Sequence, residues 1–333
     1  MAGHRVTNTV DDRNDGGVAN VARKAAELRR LELLITRRLD GLLHGEFLGV
    51  RPGPGTEFAG TRRYEAGDDA RRIDWNLTAR SLGPHLRTTD ADRELQTWVV
   101  VDRSASMNFG TAEREKTDVA FAAVAAFGFL TARHGNRFGV VTAGGDRVER
   151  LGPLSTRPAL LAALSRLYEL PRFTEPPEAG ADLAAALQHL ERSRPRRGEV
   201  VVISDFFDQS DWDRSLRRLA YAHHVVAVQV VDPRDLELPP MGLLTLVDAE
   251  SGREISVQSN SKQLRARYAR AAQQRNAEIA AKIHDAGSRH LVLTTDRDWL
   301  LDIVRFVVGN RTLQRRAEPA LDNQRARTLR SIS

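Results

Sequence analysis

Hydrophobic spacing divides the first hundred residues into three segments of different character. Residues 1–18 are polar and rich in Asp, Asn and Gly, which predicts a disordered lead-in. Within residues 19–45, Leu and Ile recur at three- and four-residue steps, the spacing of an amphipathic helix. Residues 46–96 mix Gly, Pro and charged residues with short apolar pieces, so we expect a β-rich segment of irregular structure there.

From residue 97 onward, short apolar runs alternate with stretches of helical periodicity. The predicted strands lie at residues 98–101, 138–142, 200–203, 224–231 and 291–293, with a hairpin at 243–257. The predicted helices lie at residues 113–133, 158–169, 182–192, 212–222, 262–285 and 299–308. Continuously apolar strands separated by helices require a sheet that is covered on both faces. We therefore predict a doubly wound, mostly parallel α/β domain with a C-terminal extension over residues 97–309.

Charge and cysteine content narrow the range of functions. The formal net charge is +6, of which residues 1–45 carry +2 and a basic tail at residues 310–333 carries +4. The body between them is neutral and has no aromatic platform or nucleic-acid motif, so nucleic acid is not the expected partner. The tails would dock an acidic partner or stay solvated. There is no Cys, which excludes thiolate catalysis and Cys-ligated zinc.

Apolar run length indicates where the protein resides. The longest nearly unbroken run, Val119 to Leu130, has twelve residues, whereas a transmembrane helix needs about 20. We expect a core helix there and no membrane span. The polar N-terminus has no apolar segment of the secretory type, so we expect a cytoplasmic protein.

Oxygen-bearing side chains follow two of the predicted strands. Asp102, Ser104 and Ser106 come directly after the first, and Asp205 follows a later one. Carboxyl ends of parallel strands meet at one edge of a sheet, where carboxylates and hydroxyls can converge on a hard cation such as Mg²⁺. Ser104 and Ser106 would bind it directly, with the two aspartates acting through water. Two neutral hydroxyls leave the ion poorly neutralised, so it would accept an acidic side chain from a client protein.

This arrangement resembles the metal-ion-dependent adhesion site of von Willebrand factor A-type domains. The family's pattern adds a Thr from a third loop, but Ala181 stands at that position here, and Asp182 or a water would have to fill the place. Two alternatives stay open. The site is degenerate and empty, or the aspartates cap helices while the serines satisfy loop amides.

A second distinctive stretch runs from Gly55 to Arg80. Gly67 permits a turn, carboxylates can clamp Arg side chains, and Trp75 is expected to anchor the segment in apolar contact. The stretch resembles the signature of the domain of unknown function 58 family, in which it directly precedes a von Willebrand A-like domain. The matching residues are Arg63, Tyr64, Gly67, Asp68, Arg71, Ile73, Asp74, Trp75, Ala79 and Arg80.

The resemblance implies a non-enzymatic protein-binding module. Members of this family are often encoded beside a MoxR-type AAA+ ATPase and are thought to act with it in chaperone-like assembly or maturation of client proteins. The chain itself has no Gly-x-x-x-x-Gly-Lys-Ser/Thr string, so it is not a P-loop ATPase. Two alternatives are a metal-dependent hydrolase or nuclease that uses the same acidic edge, and a structural adaptor with a degenerate metal site.

Overall fold

The computed structural model describes most of the chain. The described residues are 26, 28–38, 58–64, 73–81, 83–89, 96–111, 114–133, 136–144, 147–172, 182–247, 254–307 and 309. The predicted lead-in at residues 1–18 and the basic tail at residues 310–333 lie outside them. The chain divides into two compact units, one made of Met1–Leu42 with Leu95–Ser333 and one made of Leu43–Glu94.

Strands and helices follow one another along both units. The strands are β1 (Phe58–Arg63), β2 (His85–Thr89), β3 (Gln96–Asp102), β4 (Arg137–Ala143), β5 (Arg150–Leu154), β6 (Gly198–Ser204), β7 (His224–Val231), β8 (Leu243–Val247), β9 (Glu254–Gln258) and β10 (Arg289–Thr294). The helices are α1 (28–38), α2 (Trp75–Thr78), α3 (Lys116–Arg133), α4 (Arg157–Glu169), α5 (Leu183–Arg192), α6 (Trp212–Ala222), α7 (Pro233–Leu236), α8 (Lys262–Asp285) and α9 (299–307), with a 3₁₀ helix at Ala105–Asn108.

The central sheet has the strand order β10-β7-β6-β3-β4-β5. Its strands are parallel except for β5, which pairs antiparallel with β4 at one edge. This topology confirms the predicted mostly parallel α/β fold. The sequence did not predict β5, because its five residues, Arg-Leu-Gly-Pro-Leu, are largely exposed and lack the continuous apolar run of a covered strand.

Helices cover both faces of the sheet. Every residue of β3 is buried, and Trp98 and Val100 share one cluster with Leu187 of α5 and Trp212 of α6. The alternate residues of β3 point to the other face, where α3 packs on the same strands. Gly139 makes room for Trp98, because a Cβ on Gly139 would lie 2.4 Å from the indole ring.

The apolar run predicted to form a core helix lies in α3, where most of its side chains are buried against the sheet. No helix within the described ranges is both long and apolar enough to cross a membrane. The predicted N-terminal helix is observed as α1, with Ile35 buried. Its Glu32 is paired with Arg157 at the start of α4, at 2.5 Å from Nε and 2.7 Å from Nη2.

In the smaller unit, β1 and β2 form an antiparallel pair with an irregular register between Phe58 and Gly60. The β structure predicted for this segment is therefore present. The short helix α2 interrupts it, which the sequence pattern did not predict. Asp74 begins this helix, because its Oδ1 accepts the backbone N–H of Leu77 at 3.1 Å.

Candidate functional site

Four of the five predicted metal-site residues lie at the carboxyl edge of the sheet. Strand β3 ends at Asp102, and its neighbour β6 ends at Ser204, directly before Asp205. The loop after β3 carries Ser104 and Ser106, and all of these side chains are buried. The parallel pairing of β3 with β6 therefore places both aspartates at the same edge.

Asp102 is held by the polar groups around it. Its Oδ1 accepts the backbone N–H of Ser104 at 2.8 Å, and its Oδ2 accepts the Ser204 hydroxyl at 2.6 Å. The Ser104 and Ser106 hydroxyl oxygens lie 3.1 Å apart. Burial and, next, the charge of Asp205 raise the pKa of Asp102 to about 7, although the hydrogen bonds from Ser204 and Ser104 act in the opposite direction.

Asp205 faces a cation that belongs to the chain itself. Its Oδ1 accepts the backbone N–H of Phe207 at 3.0 Å, and its Oδ2 accepts Lys116 Nζ at 2.7 Å. The side chains of both Asp205 and Lys116 are 1% exposed. Lys116 Nζ also lies 3.3 Å from Oδ2 of Asp235, so one ammonium bridges two carboxylates.

Burial and charge act in opposite directions on this cluster. For Lys116, burial lowers the pKa, but the charges of Asp205 and Asp235 outweigh it and the net shift is upward. For Asp235, burial raises the pKa, and the charge of Lys116 offsets only part of the effect. The ammonium is therefore firmly protonated at neutral pH.

The start of α3 is fixed so that Lys116 points into this cluster. The backbone N–H of Lys116 donates to the carbonyl of Phe109 at 2.9 Å, and the hydroxyl of Thr117 donates to the carbonyl of Met107 at 2.9 Å. Across the edge, Phe206 adopts a left-handed φ of +60° directly after Asp205. Its N–H donates to the Ser204 hydroxyl at 2.8 Å, which holds that turn in place.

A further buried aspartate, Asp232, follows the next strand, β7. Its carboxylate accepts the N–H and hydroxyl of Thr111 at 3.0 and 2.6 Å, the hydroxyl of Thr295 at 2.7 Å and the N–H of Arg234 at 2.9 Å. Burial would raise the pKa of Asp232, but these hydrogen bonds outweigh it and lower the pKa overall. We did not predict this residue, although an Asp before Pro233 and three residues before Asp235 is a helix-start pattern.

These contacts do not fit a Mg²⁺ ion held jointly by the serines and the two aspartates. Each of the four oxygens of Asp102 and Asp205 already accepts one donor, and the positive charge of Lys116 at Asp205 opposes a second cation beside it. Asp182 caps α5 instead, accepting the N–H of Ala185 at 2.7 Å, and Ala181 lies outside the described residues. Within the described ranges, no group of three or more His, Asp or Glu side chains is placed to hold a metal ion. Magnesium binding stays a prediction for titration.

The signature residues lie in the smaller unit. Arg63, Ala79 and Arg80 are exposed, Tyr64 and Ile73 are half-buried, and Gly67, Asp68 and Arg71 lie outside the described residues. The prediction that Trp75 anchors the segment in apolar contact is wrong, because this side chain is 69% exposed. The preceding residue, Asp74, is buried instead. Its carboxylate turns inward to cap α2, while the Trp75 side chain points outward.

Lys116 is a second residue that the sequence interpretation missed. Its partner Asp205 is 89 positions away, so no local pattern links the two. One compositional signal was available, because only four of the 50 basic residues are Lys. In a chain that uses Arg almost throughout, a Lys at the start of an apolar helix indicates a site that needs a compact ammonium group.

Two relatives are similar to this chain in sequence over most of its length. The uncharacterized protein Rv1480 of Mycobacterium tuberculosis (strain ATCC 25618 / H37Rv) is 48% identical over 289 residues, covering 86% of this chain and 90% of the relative. The uncharacterized protein Mb1516 of Mycobacterium bovis shows the same identity and coverage.

Two solved structures match this chain at low sequence identity. The conserved hypothetical protein BatB from Bacteroides thetaiotaomicron is 14% identical, with a TM-score of 0.42, covering 65% of this chain and 98% of that one. The SpRpn10 VWA domain is 14% identical, with a TM-score of 0.37, covering 63% of this chain and 94% of that one. The family model described as protein of unknown function DUF58 matches residues 60–278, which include the signature residues named above and every strand of the central sheet except β10. As predicted from the signature, the chain belongs to the DUF58 family.

Proposed function

We propose that this protein is a non-enzymatic protein-binding module that acts with a MoxR-type AAA+ ATPase in chaperone-like assembly or maturation of client proteins. The carrying observation is that the acidic residues of the sheet edge are buried and engaged. Asp102, Asp205 and Asp235 are all buried, and each already contacts a donor within the chain. A catalytic carboxylate must reach a substrate atom, whereas these groups hold loops in a fixed shape.

The loop that they hold presents an aromatic side chain to solvent. Phe109 is 40% exposed and lies between the serine loop and α3, and its carbonyl accepts the N–H of Lys116. Ligands of open α/β sheets bind outside the carboxyl ends of the strands, and exposed aromatic side chains frequently supply much of the binding energy of an interface. We place the partner-binding surface at Phe109 for these reasons.

The test is co-purification of the full chain with a MoxR-type ATPase from the same organism, with ATP, with ADP and without nucleotide. Phe109→Ala should weaken the complex at least about 10-fold, because an aromatic anchor contributes more than about 1.4 kcal/mol to an interface. Tyr221→Ala is the matched control, since Tyr221 is a 92% exposed aromatic residue on α6. Thermal unfolding of both variants shows that they are folded.

The partnership is refuted if no complex forms under any nucleotide condition. The placement of the surface is refuted if Phe109→Ala and Tyr221→Ala bind the ATPase equally well.

The proposal that the protein has no enzymatic activity is tested separately. The protein is incubated with generic phosphodiester and peptide substrates in the presence of Mg²⁺, and we expect no turnover. Turnover that Asp102→Ala abolishes would instead support a metal-dependent hydrolase or nuclease.

A further inference from the structure

The sheet edge concentrates negative charge away from water. Three carboxylates, those of Asp102, Asp205 and Asp235, are buried at the ends of adjoining strands and at the start of α7. Buried charges are tolerated only when they are paired, hydrogen-bonded or bound to a cation. The fold must therefore supply this edge with hydrogen-bond donors, with positive charge, or with both.

Lys116 supplies positive charge at this edge, where its ammonium group contacts two carboxylates and two aromatic rings. Two of its contacts are with carboxylate oxygens, at 2.7 Å to Asp205 and 3.3 Å to Asp235. The same nitrogen lies 4.8 Å from the ring centroid of Phe207 and 5.8 Å from that of Phe109, within the range of cation–π attraction. An ammonium has three donors, and carboxylates and aromatic faces surround this one.

The choice of Lys rather than Arg fits this role. An ammonium is a compact point charge, whereas a guanidinium is a planar fork that needs more space. The two other described lysines, Lys262 and Lys282, are exposed on α8. Among the described lysines, only Lys116 is thus enclosed in the interior, at the one edge where a compact cation is required.

We infer that the ammonium of Lys116 is the resident cation of this site and takes the place of a metal ion, so that the edge is complete without Mg²⁺. The inference concerns the same edge as the proposed function but does not depend on the ATPase. It changes the expected mode of client recognition. At 1% exposure, Lys116 cannot reach a carboxylate of a partner, so an acidic client side chain does not dock through this cation.

The experiment combines Mn²⁺ titration, followed by electron paramagnetic resonance, with thermal unfolding of the metal-stripped full chain. For the wild type we expect no one-to-one Mn²⁺ site up to millimolar concentration and an unchanged Tm with Mg²⁺ or EDTA. Lys116→Ser should lower the Tm by about 10 °C, because it leaves two buried carboxylates without their cation. The space that it opens should let Mn²⁺ restore part of the loss.

Lys262→Ser is the matched control and should leave the Tm unchanged, because Lys262 is exposed. The inference is overturned if the wild type binds one Mn²⁺ and Ser104→Ala abolishes that binding. It is also overturned if Lys116→Ser unfolds at the same temperature as the wild type. Should Lys116→Ser fail to fold, the wild-type titration decides, together with the double variant Lys116→Met with Asp205→Asn, which must be more stable than Lys116→Met alone.

Discussion

Asp205 and Asp232 occupy equivalent places in the sheet, yet they are stabilised in different ways. Each follows the last residue of a parallel strand, β6 and β7 respectively, and each is buried. Asp205 is paired with an ammonium at 2.7 Å, whereas Asp232 accepts four hydrogen bonds from Thr111, Thr295 and Arg234. A carboxylate at this edge can therefore be kept in the interior either by a cation or by dipoles alone.

Asp102 is stabilised less fully than either of these aspartates. It accepts hydrogen bonds from Ser204 and Ser104, but its burial and the nearby charge of Asp205 raise its pKa to about 7. Asp232, with more donors, has a lowered pKa. The comparison indicates that the Lys116 ammonium neutralises Asp205 and Asp235 but not Asp102, which is partly protonated at neutral pH.

Removing the cation should produce the largest effect. Lys116→Met leaves Asp205 and Asp235 as unpaired buried carboxylates, so the free energy of unfolding should fall by about 3–5 kcal/mol. Urea unfolding at pH 7 measures it, with Lys262→Met as the exposed control. A loss below about 1 kcal/mol would mean that the ammonium does not support this edge.

Ionisation of Asp102 should change the free energy of unfolding with pH by nearly as much as the loss of the Lys116 cation does. Its pKa is about 7 in the folded protein and about 3.9 in the unfolded chain, so the folded state binds the proton more tightly between these values. The wild type should therefore lose stability relative to Asp102→Asn as the pH rises from about 4 to about 7, by at most about 1.4 kcal/mol per pH unit. Urea unfolding of both proteins across this range tests it. A constant difference between them would disprove a raised pKa.

Removing one hydrogen bond from the Asp232 carboxylate should have a smaller effect on stability than the two changes above. Thr295→Val removes one hydroxyl donor to the Asp232 carboxylate with little change in shape, which should cost about 1.5–3 kcal/mol. Thr131→Val is the matched control, because the Thr131 hydroxyl donates at 2.7 Å to the neutral carbonyl of Phe127. Its loss should be about 0.5–1.5 kcal/mol. Equal losses in the two variants would show that Asp232 gains nothing from its charge.

The smallest effect is expected at the predicted metal ligand Ser104. Its hydroxyl lies 3.1 Å from that of Ser106, so Ser104→Ala should cost about 1 kcal/mol. The loss should be the same in Mg²⁺ and in EDTA. Calorimetric unfolding in the two buffers provides the measurement, and a loss seen only in Mg²⁺ would argue for a bound ion.

Much of the fold could be predicted because its strands are covered on both faces. Continuous apolar runs located β3, β6 and β7, and the rule that parallel strands end at one edge placed Asp102 near Asp205. Edge and surface elements were harder, since β5 and α2 have mixed polarity, and the inward turn of Asp74 reversed the burial expected for Trp75.

The identity of the cation could not be predicted from local patterns. Whether Asp205 faces a metal or a side chain depends on how α3 packs against the sheet, which brings together residues 89 positions apart. The resemblance to von Willebrand factor A-type domains led to the prediction of a metal ion, because the string Asp102-x-Ser104-x-Ser106 is shared with domains that bind one. A Lys at the start of an apolar helix, in a chain where Lys is rare, was the sequence signal that indicated a side chain as the cation.

The most direct test is a crystal structure grown in the presence of Mn²⁺, with anomalous diffraction data collected to locate the ion. If Lys116 is the resident cation, its Nζ will lie within hydrogen-bond distance of Asp205 Oδ2, as in the 2.7 Å contact described above, and no anomalous peak will appear beside Ser104 or Ser106. An anomalous peak within about 2.2 Å of both serine hydroxyls, with Lys116 turned away from Asp205, would contradict the account.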